Sequence, residues 1–168
     1  MNIIQIVGYK NSGKTTLAAK LIEHAAQKGF RTASLKHHGH GGVPEGIYET
    51  DSEKHRQAGA LISGVEGDGV FQLTKENWTL DEMIQIYEFM HVNLLIIEGF
   101  KAYSFPKVVL ISNEKDLELL DKVENVKAVI TRVPLERAYP FPVFKQRDMN
   151  GICKWLESQL KKEAFLNN

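Results

Sequence analysis

The sequence predicts an α/β fold, a doubly wound and mostly parallel sheet that carries a β-hairpin appendage. Short β-branched runs alternate with segments whose apolar residues recur at helical spacing. The first strand, helix and second strand are complete by residue 37, and such a βαβ unit implies parallel strands joined by a right-handed crossover. One exception is the stretch "EGDG" between two strand-like runs, which predicts an antiparallel hairpin over about residues 60–75.

The remaining elements follow in order along the chain. Thr50 with Glu53 three residues later forms a capping-box pattern, which predicts a short helix that ends at Gly59. The other expected helices cover residues 15–28, 80–90 and 150–162. The expected strands of the main sheet are 2–7, 31–36, "VNLLIIEGF", "KVVLIS" and "VKAVIT". Because ligands bind outside the carboxyl ends of the strands in such sheets, functional residues are expected at that edge.

Length, charge and cysteine usage limit the function classes. A chain of 168 residues predicts one domain, 1–168. Lys plus Arg equal Asp plus Glu at 21 each, so neither nucleic acid nor an anionic membrane is expected as a partner. The single cysteine, Cys153, the absence of a signal-like start and the absence of a long apolar run favour a cytoplasmic location without membrane insertion.

The stretch "GYKNSGKTT" carries the clearest chemistry. Gly8, Gly13, Lys14 and Thr15 have the spacing of a P-loop, and the stretch lies between a predicted strand and a predicted helix. In such a loop the backbone N–H groups surround the β-phosphate, the lysine reaches the β and γ oxygens, and the threonine ligates Mg²⁺. The fold is therefore expected to be of P-loop NTPase type. The expected nucleotide contacts also include Asn11, Ser12 and Thr16.

A P-loop requires an acidic residue for the metal, and Glu98 is the candidate. It follows four apolar residues and precedes Gly99, so it should emerge at the carboxyl edge of the sheet on the phosphate side. There it would hold Mg²⁺ or orient an attacking water, and with Lys14 it forms the expected catalytic pair. The alternative is a solvated charge at the end of a strand.

Five segments together resemble a known family. They are "GYKNSGKTT", "LKHHGH", "TDSEKHRQAGA", "LLIIEGFK" and "ITRVPL", in this order. The chain resembles the molybdopterin-guanine dinucleotide biosynthesis protein B family, within the signal-recognition-particle and MinD-like class of P-loop GTPases. The resemblance implies a GTP- and Mg²⁺-dependent accessory protein with weak GTPase activity. Its implied partners are molybdopterin or its guanine dinucleotide, the enzyme that attaches GMP to molybdopterin, and a second copy of the chain.

Within this resemblance, the metal set would be Thr15 with Glu98, and Asp51 is a third possible member. Asp51 also fits a second interpretation, in which its charge only complements the start of a helix. The hairpin 60–75 is the segment assigned to pairing, because an exposed strand edge offers a two-fold interface. The alternative is a hairpin that packs on its own sheet.

The histidines His37, His38 and His40 follow the second strand and should also lie near the phosphates. With His55 or Asp51 they would have enough ligands for a transition metal. Contact with an anion, together with Lys36, is the favoured interpretation, and it makes Lys36 and His37 part of the expected nucleotide or pterin-phosphate site.

Guanine selectivity has only a weak signal in the sequence. Asn113 and Asp116 have the separation found in guanine-binding motifs, but Lys115 is displaced by one position, and a turn into a helix is the favoured interpretation. The segment 131–134 would wall the base pocket instead. Without a clear charge-stabilising finger, hydrolysis is expected to be slow.

Two other functions remain open at this point. A P-loop kinase of a small metabolite would use Glu98 or Asp51 as the base. A metal-delivery GTPase would use the histidine-rich segment to hold its cargo.

Overall fold

The computed structural model describes residues 1–39, 42 and 50–164, with side chains described up to residue 161. His40, one of the three predicted anion or metal contacts, lies outside the described residues. The chain forms two compact units, Met1–His37 with Tyr87–Asn168, and His38–Ile86. The expectation of one domain stays a prediction.

The first unit contains a six-stranded sheet in the order β2-β5-β1-β6-β7-β8. All its neighbouring strands pair in parallel, as predicted for the main sheet. The strands are β1 Asn2–Val7, β2 Thr32–Lys36, β5 Leu94–Glu98, β6 Lys107–Ile111, β7 Val126–Thr131 and β8 Val143–Lys145. β5 and β6 are buried along their whole length, which explains their near-continuous apolar sequences.

Helices cover this sheet. Helix α1 (Lys14–Gln27) and helix α5 (Met149–Ala164) contribute Leu21 and Leu156 to one apolar cluster with strand residues such as Ile96. Helix α4 (Leu119–Lys122) contributes to a second cluster that contains Val7, Val109 and Val129. Because successive strand side chains point to opposite faces, these two clusters are the two sides of the sheet, and the doubly wound prediction is confirmed.

The second unit contains a short helix and the hairpin. Helix α2 (Asp51–Gln57) begins where predicted, and the Thr50 side chain accepts a hydrogen bond from Glu53 N. Strands β3 (Ser63–Gly67) and β4 (Val70–Thr74) form a separate antiparallel sheet. Asp68 and Gly69 between them both have positive φ, as a two-residue type I′ turn requires. The predicted hairpin is confirmed.

The boundary between the units falls within helix α3 (Leu80–Phe89). Strand β8 was not predicted, whereas the 3₁₀ turn Glu114–Glu118 runs into α4 where the sequence favoured a turn into a helix. Every predicted strand and helix is present with bounds that agree to within about two residues, the usual uncertainty of element ends. Over the described ranges of the chain, the helices are too short or too polar to cross a membrane.

Candidate phosphate-binding site

The loop between β1 and α1 is shaped by its two motif glycines. A Cβ on Gly8 would lie 2.6 Å from Ser12 Oγ and 3.2 Å from the Leu110 carbonyl oxygen, so a side chain does not fit. Gly13 has φ of +95°, and a Cβ there would lie 2.8 Å from Gln146 Nε2. Both positions therefore require glycine to bring the backbone into the geometry of an anion cradle.

The residues between the two glycines continue this geometry. Asn11 has a positive φ of 62°, a conformation that asparagine tolerates better than most residues. Ser12 is almost fully buried, and its hydroxyl has no hydrogen-bond partner among the described residues. Thr16 lies on the first turn of α1 and is exposed. The loop thus holds an unsatisfied buried hydroxyl beside the beginning of a helix that is 14 residues long.

Lys14 lies half-buried at the first position of α1. Its Nζ donates to the Tyr9 carbonyl oxygen at 2.7 Å. Burial lowers the pKa of Lys14 below the ordinary value of 10.5; the nearby Glu98 opposes this shift, and Lys101 and Lys36 add to it. A phosphate would restore the preference for the charged form, so this ammonium is suited to an anionic ligand.

Thr15 and Glu98 come together at the carboxyl edge of the sheet. Thr15 Oγ1 donates to the Glu98 carboxylate, at 2.9 Å from one oxygen and 3.1 Å from the other. Lys36 Nζ lies 3.3 Å from Thr15 Oγ1 and 3.6 Å from Glu98 Oε1. The sequence placed all three residues at this edge, and the structure brings them together. A positive group already lies against the same oxygen atoms that Mg²⁺ would use.

The chain turns sharply after Glu98. Gly99 has φ of +93° and Phe100 has φ of +53°. The Gln5 side chain, fully buried on β1, donates through Nε2 to both carbonyl oxygens of this pair at 2.6 Å. The His37 ring lies 4.7 Å from the Phe100 ring, which places His37 on this turn.

A cavity of about 1020 Å³ opens after β7, and its wall is rich in cations. It includes the segment 131–134 that the sequence assigned to the base pocket. Gln146 joins it to the phosphate loop, because its side chain donates to the Ser12 carbonyl oxygen at 3.4 Å and accepts from Arg132 Nε. The polar and aromatic side chains of the wall are Arg132, Arg137, Tyr139, Lys145, Gln146 and Arg147.

Sequence reasoning missed Gln146 and its surroundings. The segment "YPFPVFKQ" has no helical or alternating apolar period, so β8 and the residue that follows it gave no signal. Strand β8 is only three residues long and lies at the edge of the sheet, directly after Pro142.

Other predicted residues lie elsewhere. Asp51 belongs to the second unit, where Lys54 Nζ donates to its carboxylate at 2.8 Å, so its role as a metal ligand stays a prediction. His38 also falls in that unit. Asn113 caps the 3₁₀ turn, and the Asp116 carboxylate accepts from the Ser112 and Asn113 backbone, as expected for the favoured turn into a helix. Within ranges 1–39 and 50–161, no cluster of three His, Cys, Asp or Glu side chains is arranged to hold a metal ion.

Comparison with known proteins decides the family. The family model described as "Molybdopterin guanine dinucleotide synthesis protein B" matches residues 3–132, which is more than half of the chain. The chain belongs to the MobB family. The resemblance drawn from the five sequence segments is thereby confirmed.

Curated MobB relatives align over most of the chain. It is 42% identical over 166 residues to a protein of Bacillus subtilis (strain 168) named "Probable molybdopterin-guanine dinucleotide biosynthesis adapter protein", and the match covers 96% of this chain and 95% of that protein. It is 31% identical over 137 residues to the molybdopterin-guanine dinucleotide biosynthesis adapter protein of Haemophilus influenzae, covering 80% of this chain and 76% of that protein.

Solved MobB structures have the same fold. The crystal structure of Bacillus subtilis MobB matches with a TM-score of 0.78 and 39% identity, over 94% of this chain and 97% of that chain. The MobB homolog from Bacillus stearothermophilus matches with a TM-score of 0.77 and 35% identity, over 96% and 99%. The predicted P-loop NTPase fold is confirmed.

Proposed function

We propose that this protein binds GTP with Mg²⁺ at the phosphate loop and acts as an adapter in the biosynthesis of molybdopterin guanine dinucleotide. The observation that carries the proposal is the contact of Thr15 with Glu98 at the first turn of α1, beside a loop that requires glycine at two positions. The names of the curated relatives supply the pathway.

The donor set at this edge suits Mg²⁺. Thr15 offers a hydroxyl oxygen and Glu98 a carboxylate that is nearly buried, and hard divalent cations prefer oxygen ligands. A bound Mg²⁺ would neutralise charge on the β and γ phosphates. Lys36, which now lies within 3.6 Å of Glu98, is exposed and free to move to a phosphate oxygen.

The cavity after β7 is the proposed site of the guanosine part of the nucleotide. It adjoins the phosphate loop through Gln146, and it has room for a nucleoside in about 1020 Å³, within the upper range of ligand pockets. Val133, Pro134 and Leu135 supply apolar surface for a base, and Tyr139 supplies an aromatic ring. The choice of GTP over ATP rests on the family.

Hydrolysis is proposed to be slow, and the nucleotide to be mainly held. Among the residues described, Lys10 and Lys14 belong to the phosphate loop, and Lys36 and Lys101 lie beside it. Arg132 lies near Gly13, where its Nε donates to the Gln146 side chain. Arginine fingers supply roughly 10³ to 10⁵ of rate in other GTPases. A turnover of many per second by the isolated protein would contradict this part of the proposal.

The proposed partners are molybdopterin or its guanine dinucleotide, the enzyme that attaches GMP to molybdopterin, and a second copy of this chain. The hairpin β3–β4 is the proposed pairing element, because its strands expose Val65, Val70 and Phe71. A cytoplasmic location is part of the proposal and rests on the adapter names of the relatives and on the single cysteine.

The test is a calorimetric titration of GTP, GDP and ATP in the presence of Mg²⁺, with and without molybdopterin or the GMP-transferring enzyme. We expect GTP to bind more tightly than ATP, and either partner to strengthen GTP binding, because coupling between two sites is reciprocal. Equal affinities for ATP and GTP without coupling would favour a small-metabolite kinase, and a phosphorylated pterin after incubation with ATP would establish it.

The Lys14→Ala variant tests the site itself. It should lose nucleotide binding by at least about 100-fold, since a partly buried ammonium that meets the phosphates is removed. Its circular dichroism spectrum and melting temperature should stay close to those of the parent protein. Unchanged affinity would overturn the assignment of the phosphate loop.

A further inference from the structure

The turn that follows Glu98, the acid proposed to hold Mg²⁺, has an uncommon backbone conformation. Gly99 and Phe100 are consecutive residues with positive φ, and phenylalanine rarely adopts this conformation. Gly99 has no alternative, because a Cβ there would lie 3.0 Å from His37 Cβ. An unfavourable backbone conformation at such a place persists only when its surroundings hold it, and such residues concentrate at functional sites.

Hydrogen bonds from a buried side chain stabilise this turn. Gln5, fully buried in the middle of β1, donates to the carbonyl oxygens of both Gly99 and Phe100. The Phe100 carbonyl oxygen also accepts from Tyr103 N at 3.0 Å, and the Phe100 ring contacts the His37 ring. The direction in which the chain leaves β5 is therefore fixed by a buried side chain.

The consequence of the turn is the position of Lys101. Its Nζ lies 4.4 Å from the centre of the Tyr9 ring, directly beside the phosphate loop. Lys14 Nζ meets the same residue at its carbonyl oxygen, 2.7 Å away. Among the described residues no carboxylate forms an ion pair with Lys101, so its ammonium is available to an anionic ligand.

Three ammonium groups thus lie at one loop, where Glu98 faces Lys36, and where the carboxylate that accepts from the Tyr9 hydroxyl, Glu118, is already paired with Lys122. Lys101 and Lys14 both contact Tyr9, one at its ring and the other at its carbonyl oxygen, and Lys36 Nζ lies 3.6 Å from Glu98 Oε1. Like charges gathered in this way are unfavourable unless an anion joins them. The surplus positive charge matches a ligand with several negative charges, such as a polyphosphate.

We propose that Lys101 is a binding residue for the terminal phosphate of a nucleoside triphosphate held in the phosphate loop. The inference rests on the proposed nucleotide site and adds a residue from a different segment to it. Glu98 and Lys101 are three residues apart across the same turn, and Thr15 with Glu98 would hold the Mg²⁺ that neutralises phosphate charge. The cation–π contact with the half-buried Tyr9 ring is weaker than a charge-assisted hydrogen bond to phosphate, so the ammonium moves from Tyr9 to the ligand.

The test compares triphosphate with diphosphate affinity in matched variants. Calorimetry with Mg²⁺ measures the Kd of a non-hydrolysable GTP analogue and of GDP for the parent protein, Lys101→Gln and Lys101→Arg. Lys127→Gln serves as the control, because Lys127 is an exposed lysine near the amino end of β7, away from the carboxyl edge. Melting curves without nucleotide show whether each variant is folded.

We expect Lys101→Gln to weaken the triphosphate analogue by roughly tenfold and GDP by less than about threefold, as for loss of one charge-assisted contact. Lys101→Arg should retain most of the affinity, and Lys127→Gln should match the parent protein. If Lys101→Gln changes both affinities equally or neither, the ammonium serves only the Tyr9 ring and the inference is wrong. A parent protein that binds neither nucleotide would instead contradict the proposed function.

Discussion

The carboxyl edge of the main sheet and the hairpin of the second unit are built in opposite ways. Every residue of β5 and β6 is buried, whereas in β3 and β4 only Ser63 is buried and most of the others are exposed. The phosphate loop is surrounded by side chains of its own unit. The hairpin presents large apolar side chains to solvent, with Val70 70% and Phe71 64% exposed.

The two regions therefore depend on different contacts for their stability. The site at the sheet edge is shaped from within, since Gln5 and Glu98 are both buried and hold the turn and the Thr15 hydroxyl. An isolated two-stranded hairpin is only marginally stable in water, and it needs packing against something else. Exposed apolar strands with free edges are suited to a second copy of the chain, which is the partner that we propose.

Matched substitutions in the two regions give the largest expected effect. Ile96→Ala, in the centre of β5, should lower the free energy of unfolding by about 2–5 kcal/mol, because it leaves a cavity in a packed core. Val65→Ala, in β3, should change it by less than about 0.5 kcal/mol at protein concentrations where single copies predominate. Urea unfolding measures both. Equal losses would mean that the hairpin has its own apolar core.

The metal side of the site gives the next largest effect. Glu98→Gln keeps the shape of the side chain but removes the charge that Mg²⁺ would meet, so GTP affinity in Mg²⁺ should fall at least about tenfold, or ~1.4 kcal/mol. In EDTA the variant and the parent protein should bind GTP about equally. Glu88→Gln, at an exposed position of α3, is the control. If the variant lost the same amount of GTP affinity with and without Mg²⁺, Glu98 would be ruled out as a ligand of the metal.

The hairpin gives a smaller effect, confined to association. Phe71→Ser should weaken self-association by roughly tenfold while leaving the melting temperature of single copies nearly unchanged, because an exposed ring is removed. Phe89→Ser removes a ring that is 81% exposed at the end of α3, and it should not change association. Light scattering over a dilution series measures both variants. A parent protein that is monomeric at micromolar concentration would remove the basis for the pairing proposal.

The same contrast explains what the sequence could predict. Gly8, Gly13, Lys14 and Thr15 were recognisable because the P-loop is a local pattern that lies between a strand and a helix. Glu98 was recognisable because a single acid ends a continuous apolar run. Both signals lie within a few consecutive residues, and the fold of the main sheet brings their carboxyl ends to one edge without further information.

The residues that the sequence could not predict depend on contacts between distant segments. Gln146 reaches the Ser12 carbonyl oxygen across 134 positions of the sequence, and Gln5 reaches Phe100 across 95. Lys101 ends the segment LLIIEGFK that marks the family resemblance, but the sequence does not show that the turn at Gly99 and Phe100 directs it over Tyr9. No local period or motif encodes such contacts, because they follow from strand order.

The smallest expected effect is the pH dependence of ligand affinity at the phosphate loop. No such dependence is expected for association through the hairpin. The pKa of Lys14 is lowered below 10.5, chiefly by burial, so its neutral form appears at a lower pH than that of an ordinary lysine. Bound phosphate favours the ammonium, so binding takes up a proton in the window between the lowered pKa and the higher pKa of the complex. Affinity is therefore fully present below the lowered pKa and falls as the pH rises through it.

ATP is the suitable probe, because adenine does not titrate at alkaline pH and the ATP phosphates are fully ionised at about pH 9. Calorimetry at about pH 9, in two buffers that differ in ionisation enthalpy, should show proton uptake, and the affinity should fall by less than about threefold from its value at about pH 7. No uptake should occur at about pH 7 beyond that of the probe itself, measured separately. Lys14→Ala should bind too weakly to show either signal. The absence of proton uptake at alkaline pH would contradict the lowered pKa, and it would mean that the Lys14 ammonium is already fully compensated in the free loop by Glu98 and the Tyr9 carbonyl oxygen.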